Sequence, residues 1–428
     1  MEHRLSRRAA LAAAAWVGTS LLSSCGGRPQ AGGPVVLALQ APYDAALLGR
    51  MIPQFQAAHP GIRVNVGISP APGSPGLAAA LLTGSGPDVF WDIDPSRYLG
   101  GPLLVDLLPL ARASGFALTD FGSAILAAYR FGSGLFMLPR TVSPSAYAAR
   151  TDLWNAAGLS LPQAPYTAAE LASQWARLSV GARVIGGQLA WSPSATFYLN
   201  GWGAHLVDPQ DATQCALGSA AAAACGQWMY QRFWADNSAQ GLQGQFPSAS
   251  FVQGTLAMQV VSCAGLPAFA AGAEAVPWTL VPFPDWPQGP STAAQTDFYA
   301  ISAASPHIEA AWLLLSFISS PSWQQAAIAS RLLPPSRQSL WNQYIQAIPA
   351  TLPLRRGLPL GVYAQPVQQD WARPPEQFRY QAPAARLLST YWQSMFGPGP
   401  TLSVHGGFPQ AAAAVDAAEQ AAAATTPT

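Results

Sequence analysis

The expected strand at residues 87–91 is followed by an aromatic ring and two carboxylates, supplied by Trp91, Asp92 and Asp94. The C–H face of a sugar lies well on an aromatic ring, and vicinal hydroxyls pair well with carboxylates. Gln40 and Tyr43 follow another expected strand, at residues 35–39. Because ligands of open parallel α/β sheets sit beyond the carboxyl ends of the strands, the two segments predict one wall of a site for a hydroxyl-rich ligand. The alternative roles are a core aromatic for Trp91 and a helix cap or solvated loop for Asp92.

The elements that would position these residues form a regular alternation. Strands are expected at residues 35–39, 63–67 and 87–91, and helices at 43–59 and 77–83. Short links between alternating strands and helices are typical of a parallel sheet with right-handed crossovers.

The remainder is predicted to be mixed strand and helix. Further strands are expected at residues 135–138, 146–149, 256–261, 278–283 and 298–302. Further helices are expected from the Thr167–Glu170 capping box, at 220–233, after Ser305 and Ser320, and near 411–424. The proline-rich residues 284–290 are expected to form a connector.

Composition excludes several function classes. The 428 residues are 50% hydrophobic and 10% charged, which permits a large core and two or three domains. All 21 basic residues are Arg, so a Walker A phosphate loop and a lysine Schiff base are excluded. The formal net charge of +1 gives no excess of cations for a phosphate backbone, so no nucleic-acid partner is expected.

The N-terminus is typical of an exported, lipid-anchored protein. Arg4, Arg7 and Arg8 precede a twelve-residue apolar run, Leu11–Leu22, which is too short to span a bilayer. Leu22–Cys25 resembles the bacterial lipobox, whose cysteine receives a diacylglyceryl group. We therefore expect a signal peptide at residues 1–24, a tether at 25–34, and anchoring through Cys25 to the outer face of the cytoplasmic membrane. An ordinary secretory peptide with an incidental cysteine is the alternative.

Six segments resemble, in order, the sugar-binding family of extracellular solute-binding proteins of bacterial ABC importers, which includes maltodextrin receptors. They are Phe55–Val64, Gly86–Trp91, Gly101–Leu108, Thr151–Leu159, Phe251–Met258 and Ala300–Ile318. Each match is short, but six in the family's order behind a lipobox form a specific signal. The chain beyond Pro335 is poorly covered.

This resemblance implies an α/β fold, a two-lobed, periplasmic-binding-protein-like clamp of type II with parallel-sheet lobes joined by crossing hinge strands. The N-terminal lobe would comprise residues 35–143 and 292–335, and the C-terminal lobe residues 144–291 and 336–428. The crossings are expected near Ser143–Tyr147, Pro290–Asp297 and Leu333–Ser336. Closure of such a clamp on its solute distinguishes the loaded from the empty receptor.

The resemblance also implies site residues. It carries ligand contacts onto Trp91 and Asp94, places an aromatic platform near Trp191, and puts Asp297 where the family commonly has a Gly-Gly pair. Arg140 and Ser143 lie where the family often has a carboxylate, which implies an anionic or differently hydroxylated solute at that point. A surface ion pair is the alternative role of Arg140. The predicted solute contacts are Gln40, Tyr43, Trp91, Asp92, Asp94, Arg140, Ser143, Trp191, Asp297 and Tyr380.

The predicted function is a monomeric, lipid-anchored receptor that delivers a mono- or oligosaccharide to the transmembrane subunits of an ABC permease, without a cofactor, a metal or catalytic residues. One alternative is an exported carbohydrate-active hydrolase. No Gly-x-Ser-x-Gly or His-Glu-x-x-His motif is present, but paired carboxylates need only be close in space. Another is a receptor of the same fold that feeds a sensor.

Three cysteines remain once Cys25 is lipidated: Cys215, Cys225 and Cys263. They allow at most one disulfide, in one of three pairings. A zinc site is disfavoured because the five histidines are scattered along the chain.

Overall fold

The computed structural model describes residues 34–41, 45–68, 70–98, 102–179, 183–189, 196–240, 249–331, 333–351 and 357–425. The predicted signal peptide, Cys25 and all of the tether except residue 34 lie outside these residues, as do Tyr43 and Trp191. Among the helices of the described residues, none is long and apolar enough to cross a membrane.

Fourteen strands form the sheets of this part of the chain. They are β1 (Val35–Gln40), β2 (Ile62–Gly67), β3 (Val89–Asp92), β4 (Arg130–Phe131), β5 (Gly134–Leu135), β6 (Met137–Arg150), β7 (Gly187–Gln188), β8 (Ala239–Gln240), β9 (Met258–Ser262), β10 (Trp278–Val281), β11 (Asp285–Trp286), β12 (Gly289–Pro290), β13 (Thr292–Ile301) and β14 (Ala372–Arg373).

Fifteen α-helices surround these strands. They are α1 (Ala45–Ala58), α2 (Pro75–Leu82), α3 (Leu107–Ser114), α4 (Ser123–Ala127), α5 (Thr151–Ala156), α6 (Ala168–Leu178), α7 (Phe197–Gly201), α8 (Ala220–Tyr230), α9 (Leu266–Gly272), α10 (Ile308–Ile318), α11 (Pro321–Arg331), α12 (Trp341–Thr351), α13 (Gly361–Gln368), α14 (Gln381–Phe396) and α15 (Val404–Thr425).

The main sheet has eight strands, in the order β10-β6-β13-β3-β1-β2, with β14 beside β13 and β9 beside β6. β1 is parallel to β2 and β3, as the alternation of strand and helix predicts. β13, however, is antiparallel to both β3 and β6, so the sheet is mixed. The predicted parallel pairing is present at β1, β2 and β3, whereas the long strands β6 and β13 pair antiparallel because they reach their neighbours without a helical crossover.

β6 is one strand of 14 residues, where the sequence predicted separate strands at 135–138 and 146–149. Its prolines, Pro139 and Pro144, interrupt the apolar pattern on which the prediction rested. The strand is continuous because partners succeed one another along it: β13 pairs up to Pro144, and β9 pairs from Ser145.

The carboxyl ends of the shorter strands point towards each other along β6. β3 runs in the same direction as β6 and ends at Asp92, opposite Phe298 and hence level with Pro139. β9 runs in the opposite direction and ends opposite Ser145. Six residues of strand separate the two ends, which is about 20 Å. β1 is parallel to β3, while β7 and β8 share the direction of β9, so the ends of all five strands approach the same region.

Local signals explain most helix starts. Thr167 and Glu170 form the predicted capping box of α6, and Ser74, Asp106 and Ser219 cap α2, α3 and α8. Ser305 does not start α10, because its hydroxyl donates to the buried carboxylate of Asp88 at 2.6 Å and the helix begins at Ile308. The connector predicted at 284–290 contains a short hairpin of β11 and β12.

Two hydrophobic cores flank the sheet. The first core packs β1, β3 and the N-terminal part of β6, together with Trp278 and Leu280 of β10. It also takes in side chains from Trp341–Ile348 and Leu360–Ala372, with Trp341 and Tyr363 fully buried. The second core packs α6, α8, α14 and α15. Ala146 and Ala148 of β6 face the first core and Tyr147 and Ala149 the second, so alternate residues of one strand serve both.

Candidate functional site

Asp297 connects three strands of the main sheet at the point where the strand ends converge. Its Oδ1 accepts hydrogen bonds from the backbone N–H of Thr141 at 2.9 Å and from the Thr141 hydroxyl at 2.5 Å. Its Oδ2 accepts from Trp91 Nε1 and from Arg140 Nε, both at 2.8 Å, and from an Arg140 Nη. The side chain of Asp297 is 9% exposed and that of Arg140 15%, so this ion pair is largely removed from water.

Trp91 presents a half-buried ring beside this ion pair. Its backbone N–H donates to Gln40 Oε1 at 2.8 Å, and the Arg140 guanidinium lies 5.3 Å from the ring centroid. The ring is therefore fixed at its edge by Asp297 and at its backbone by Gln40. This arrangement orients an aromatic surface at the carboxyl end of β3.

Gln40 and Asp92 are inside the protein, with 1% and 0% of their surface exposed. Asp92 accepts from the N–H of Gly73 at 2.8 Å, from the N–H of Ile93 at 2.6 Å and from the Tyr98 hydroxyl. Burial, followed by this hydrogen bond, raises the pKa of Tyr98, so its hydroxyl stays protonated and donates. In this conformation the side chains of Gln40 and Asp92 form hydrogen bonds that hold the loops at the strand ends.

Asp94 lies nearer the surface, with 36% of its side chain exposed. Its carboxylate accepts hydrogen bonds from Ser96 and from Arg97 Nε, and the bond from Arg97 is 3.1 Å long. Ser143 is buried and its hydroxyl accepts from the N–H of Ala264 at 2.9 Å. Tyr380 immediately precedes α14, and its backbone N–H donates to Glu419 at 3.0 Å.

The structure thus brings Trp91, Arg140 and Asp297 into direct contact, with Gln40 behind them. Asp92 and Asp94 border the same loop, and Ser143 lies farther along β6. A cavity of about 30 Å³ adjoins Arg140 and Thr141, which is room for a water molecule or two. Tyr43 and Trp191 lie outside the described residues.

A second group of polar residues, which the sequence analysis missed, lies at the ends of β7 and β8. Gln188, Gln240 and Gln259 line a cavity of about 240 Å³ together with Ser250 and Phe251. Each of these strands has only two residues, which is too short for a recognisable apolar pattern, so no local signal marks these positions.

A larger cavity of about 800 Å³ lies between α4 with β4 on one side and the segments after α7 and β14 on the other. Its lining includes Arg130, Arg373, His205 and Glu376, and none of the predicted solute contacts. Glu376 accepts from His205 Nδ1 at 2.8 Å and from the N–H groups of residues 206 and 207. The hydrogen bond to Glu376 raises the pKa of His205.

The cysteines show no sign of redox or metal chemistry in the described part of the chain. Cys215, Cys225 and Cys263 are free. Burial raises the pKa of Cys215 and Cys263 to about 12, and that of Cys225 further, so all three thiols stay protonated at neutral pH. No group of three or more His, Cys, Asp or Glu among the described residues could hold a metal ion.

Comparison with known proteins gives one family. The profile described as bacterial extracellular solute-binding protein matches residues 38–325. No curated protein sequence is significantly similar to the chain.

Solved structures show the same fold at low sequence identity. The cyclic α-maltosyl-1,6-maltose binding protein from Arthrobacter globiformis is 16% identical with a TM-score of 0.71, covering 91% of this chain and 100% of that one. The sugar-binding protein MalE from Xanthomonas citri is 18% identical with a TM-score of 0.71, covering 90% and 98%. UgpB from Mycobacterium tuberculosis, solved with glycerophosphocholine, is 19% identical with a TM-score of 0.64, covering 91% and 98%. The fold is therefore the predicted two-lobed α/β fold.

Proposed function

The chain belongs to the bacterial extracellular solute-binding protein family, and on that premise we propose that it captures a carbohydrate between its lobes and delivers it to an ABC importer permease. Members of this family are extracellular binding proteins and not enzymes. The hydrolase alternative is therefore wrong.

The observation that carries the proposal is the convergence of strand ends on one region. β1 and β3 approach it from one side and β7, β8 and β9 from the other. Ligands of α/β folds bind outside such ends, and here two sets of ends can hold one ligand. Trp91, fixed by Asp297, offers the ring face on which a sugar can stack.

The chemistry around Trp91 favours a neutral solute. The carboxylate of Asp297 and the guanidinium of Arg140 neutralise each other, so neither brings a net charge to the solute. Two of the similar proteins bind sugars, whereas UgpB holds glycerophosphocholine. The fold alone therefore does not choose the solute, and the neutral, ring-lined wall favours the carbohydrate.

A solute panel tests this proposal. Thermal shift and small-angle X-ray scattering would be measured with neutral saccharides, uronates, glycerophosphocholine, peptides and polyamines. We expect a neutral saccharide to raise the melting temperature, reduce the radius of gyration and remain chemically unchanged. Stabilisation by peptides, polyamines or glycerophosphocholine, with no saccharide active, would contradict the proposed solute class.

Trp91→Leu examines the site itself. It should weaken the affinity for the active saccharide at least tenfold, because the solute loses its stacking surface. Trp234→Leu is the matched control, since Trp234 is also half-buried but lies in the turn after α8. Equal affinities of the wild type and Trp91→Leu for the saccharide would show that Trp91 does not contact the solute.

The proposal includes the predicted lobes and the membrane anchor. We place the lobes at residues 35–143 with 292–335 and at 144–291 with 336–428, and the lipid on Cys25. Metabolic labelling with an alkyne fatty acid should mark the wild type but not Cys25→Ser. An unlabelled wild-type protein, released from cells in soluble form, would contradict the anchor.

A further inference from the structure

We propose that Gln188 and Gln240, which line a cavity together with Gln259, form the second wall of the solute site and select an uncharged, hydroxyl-bearing solute. This inference rests on the proposed function and names the residues of the lobe that faces Trp91.

The position of these residues follows from the strand register. Gln188 and Gln240 are the last residues of β7 and β8 and pair with each other across the two strands. β7 runs parallel to the chain leading into β9, through a bridge between Ile185 and Leu256. Both glutamines therefore lie at the ends that point along β6 towards β3, as a second wall must.

The cavity at these ends suits one sugar ring. Its volume of about 240 Å³ equals that of roughly eight water molecules of the liquid. The described residues that line it include no ionisable side chain: they are the three glutamines, Ser250, and the apolar Ala249, Phe251, Val252 and Leu256. A charged solute group would lose its hydration there without gaining an opposite charge, whereas a hydroxyl needs only neutral partners.

The hydrogen-bonding state of the glutamines also leaves groups for a solute. Gln188 Oε1 accepts from the N–H of Val260 at 3.1 Å, which fixes the amide and leaves its Nε2 without an acceptor among the described residues. Gln240 Oε1 is buried and accepts no hydrogen bond from the described chain. Because the terminal torsion of a glutamine is soft, a rotation of this amide presents the oxygen to the cavity. A solute hydroxyl can accept a hydrogen bond from Gln188 Nε2 and donate one to Gln240 Oε1, so it matches both groups.

The first test needs no ligand. An unsatisfied buried acceptor destabilises a protein, so Gln240→Leu should raise the urea midpoint of the empty protein. Gln188→Leu should lower it, because the N–H of Val260 loses its acceptor. A lower midpoint for Gln240→Leu would show that the oxygen already has a partner and would overturn the proposal.

The second test uses the saccharide found active in the panel, with the corresponding uronic acid. Gln240→Leu and Gln188→Leu should each raise the dissociation constant about tenfold, and the wild type should prefer the neutral sugar at least tenfold. Gln174→Leu is the matched control, because Gln174 Oε1 is also buried without a partner in the described chain but lies in α6. It should raise the urea midpoint and leave the affinity unchanged.

The outcomes separate this inference from the proposed function. Saccharide binding that is unaffected by Gln240→Leu and Gln188→Leu overturns the inference and leaves the proposed function intact. Preference of the wild type for the uronic acid also overturns it. If no saccharide binds the wild type, the proposed function fails and the second wall fails with it, whatever the urea midpoints show.

Discussion

At the scale of single residues, Asp297 has the largest structural influence on the candidate site. One carboxylate satisfies a ring N–H, a guanidinium and both polar groups of Thr141. Asp297→Ala should reduce the free energy of unfolding by about 3 kcal/mol, because it breaks a largely buried ion pair and removes the acceptor that Trp91 and Thr141 share. Urea unfolding would measure the loss.

Asp94→Ala is the control for that substitution. Its ion pair with Arg97 joins side chains that are 36% and 42% exposed, so solvent screens it and the loss should stay below about 1 kcal/mol. Equal losses for the two variants would mean that the Asp297 pair is no better shielded from water than a surface pair.

The sequence indicates which residues form this site but not the hydrogen bonds that join them. It placed Trp91, Arg140 and Asp297 each at a strand end, but Trp91 and Asp297 are 206 residues apart and their bond depends on pairing that no local pattern encodes. The register of β13 also shifts between Asp297 and Phe298. Asp92 was predicted as a solute contact from its type, while its partners Gly73 and Tyr98 could be recognised only in the folded chain.

At the scale of elements, β7 depends on the absence of a side chain at Gly187. A Cβ there would lie 2.1 Å from Trp175 Cε2, in the buried ring that α6 places against the strand. Gly187→Ala should therefore reduce the free energy of unfolding by about 1–3 kcal/mol, as overpacking does, and should also weaken saccharide binding by moving Gln188.

Gly49→Ala in α1 gives the comparison, because nothing lies within 4 Å of the added Cβ. Alanine is the better helix former, so this variant should be neutral or slightly more stable. Denaturation curves and saccharide titrations of both variants test this prediction, and identical behaviour of Gly187→Ala and Gly49→Ala would contradict it.

The ion pair of His205 with Glu376 links the segment after α7 to the segment before α14. Its hydrogen bond to Glu376 raises the pKa of His205 above the unfolded value of about 6.5. The stabilisation is therefore full below that value and is lost as the pH rises through the higher folded pKa. Melting temperatures of wild type and His205→Gln should differ at acidic pH and converge at alkaline pH. A difference that grew with pH would contradict this assignment.

Elements with strong local signals were predicted well, and elements that depend on distant partners were not. β1, β2 and α6 follow from apolar periodicity and caps, which are local properties. The union of two predicted strands into β6 required β13, β9 and β10 as partners, and all three come from more than 100 residues away. The hairpin of β11 and β12 was hidden by prolines that the sequence analysis took for a connector.

At the scale of the whole molecule, the two cores are joined by the chain itself. β6 supplies residues to both, and the first core needs residues from beyond 340, including Trp341 and Tyr363. Neither core can therefore be completed by the first three quarters of the chain. A fragment that ends at residue 335 should fail to fold.

Unfolding of the whole chain should consequently be a single transition that the solute shifts as a unit. Tryptophan fluorescence and far-ultraviolet circular dichroism should give coincident urea curves, because loss of β6 removes strand pairing and both cores together. The active saccharide at 100 times its dissociation constant should add about 2.7 kcal/mol to the free energy of unfolding. Both probes should report that gain, since the proposed solute contacts lie on strands connected to both halves of β6. Two separated transitions, with only one of them moved by the saccharide, would mean that the lobes fold independently and that the solute is held by one lobe alone.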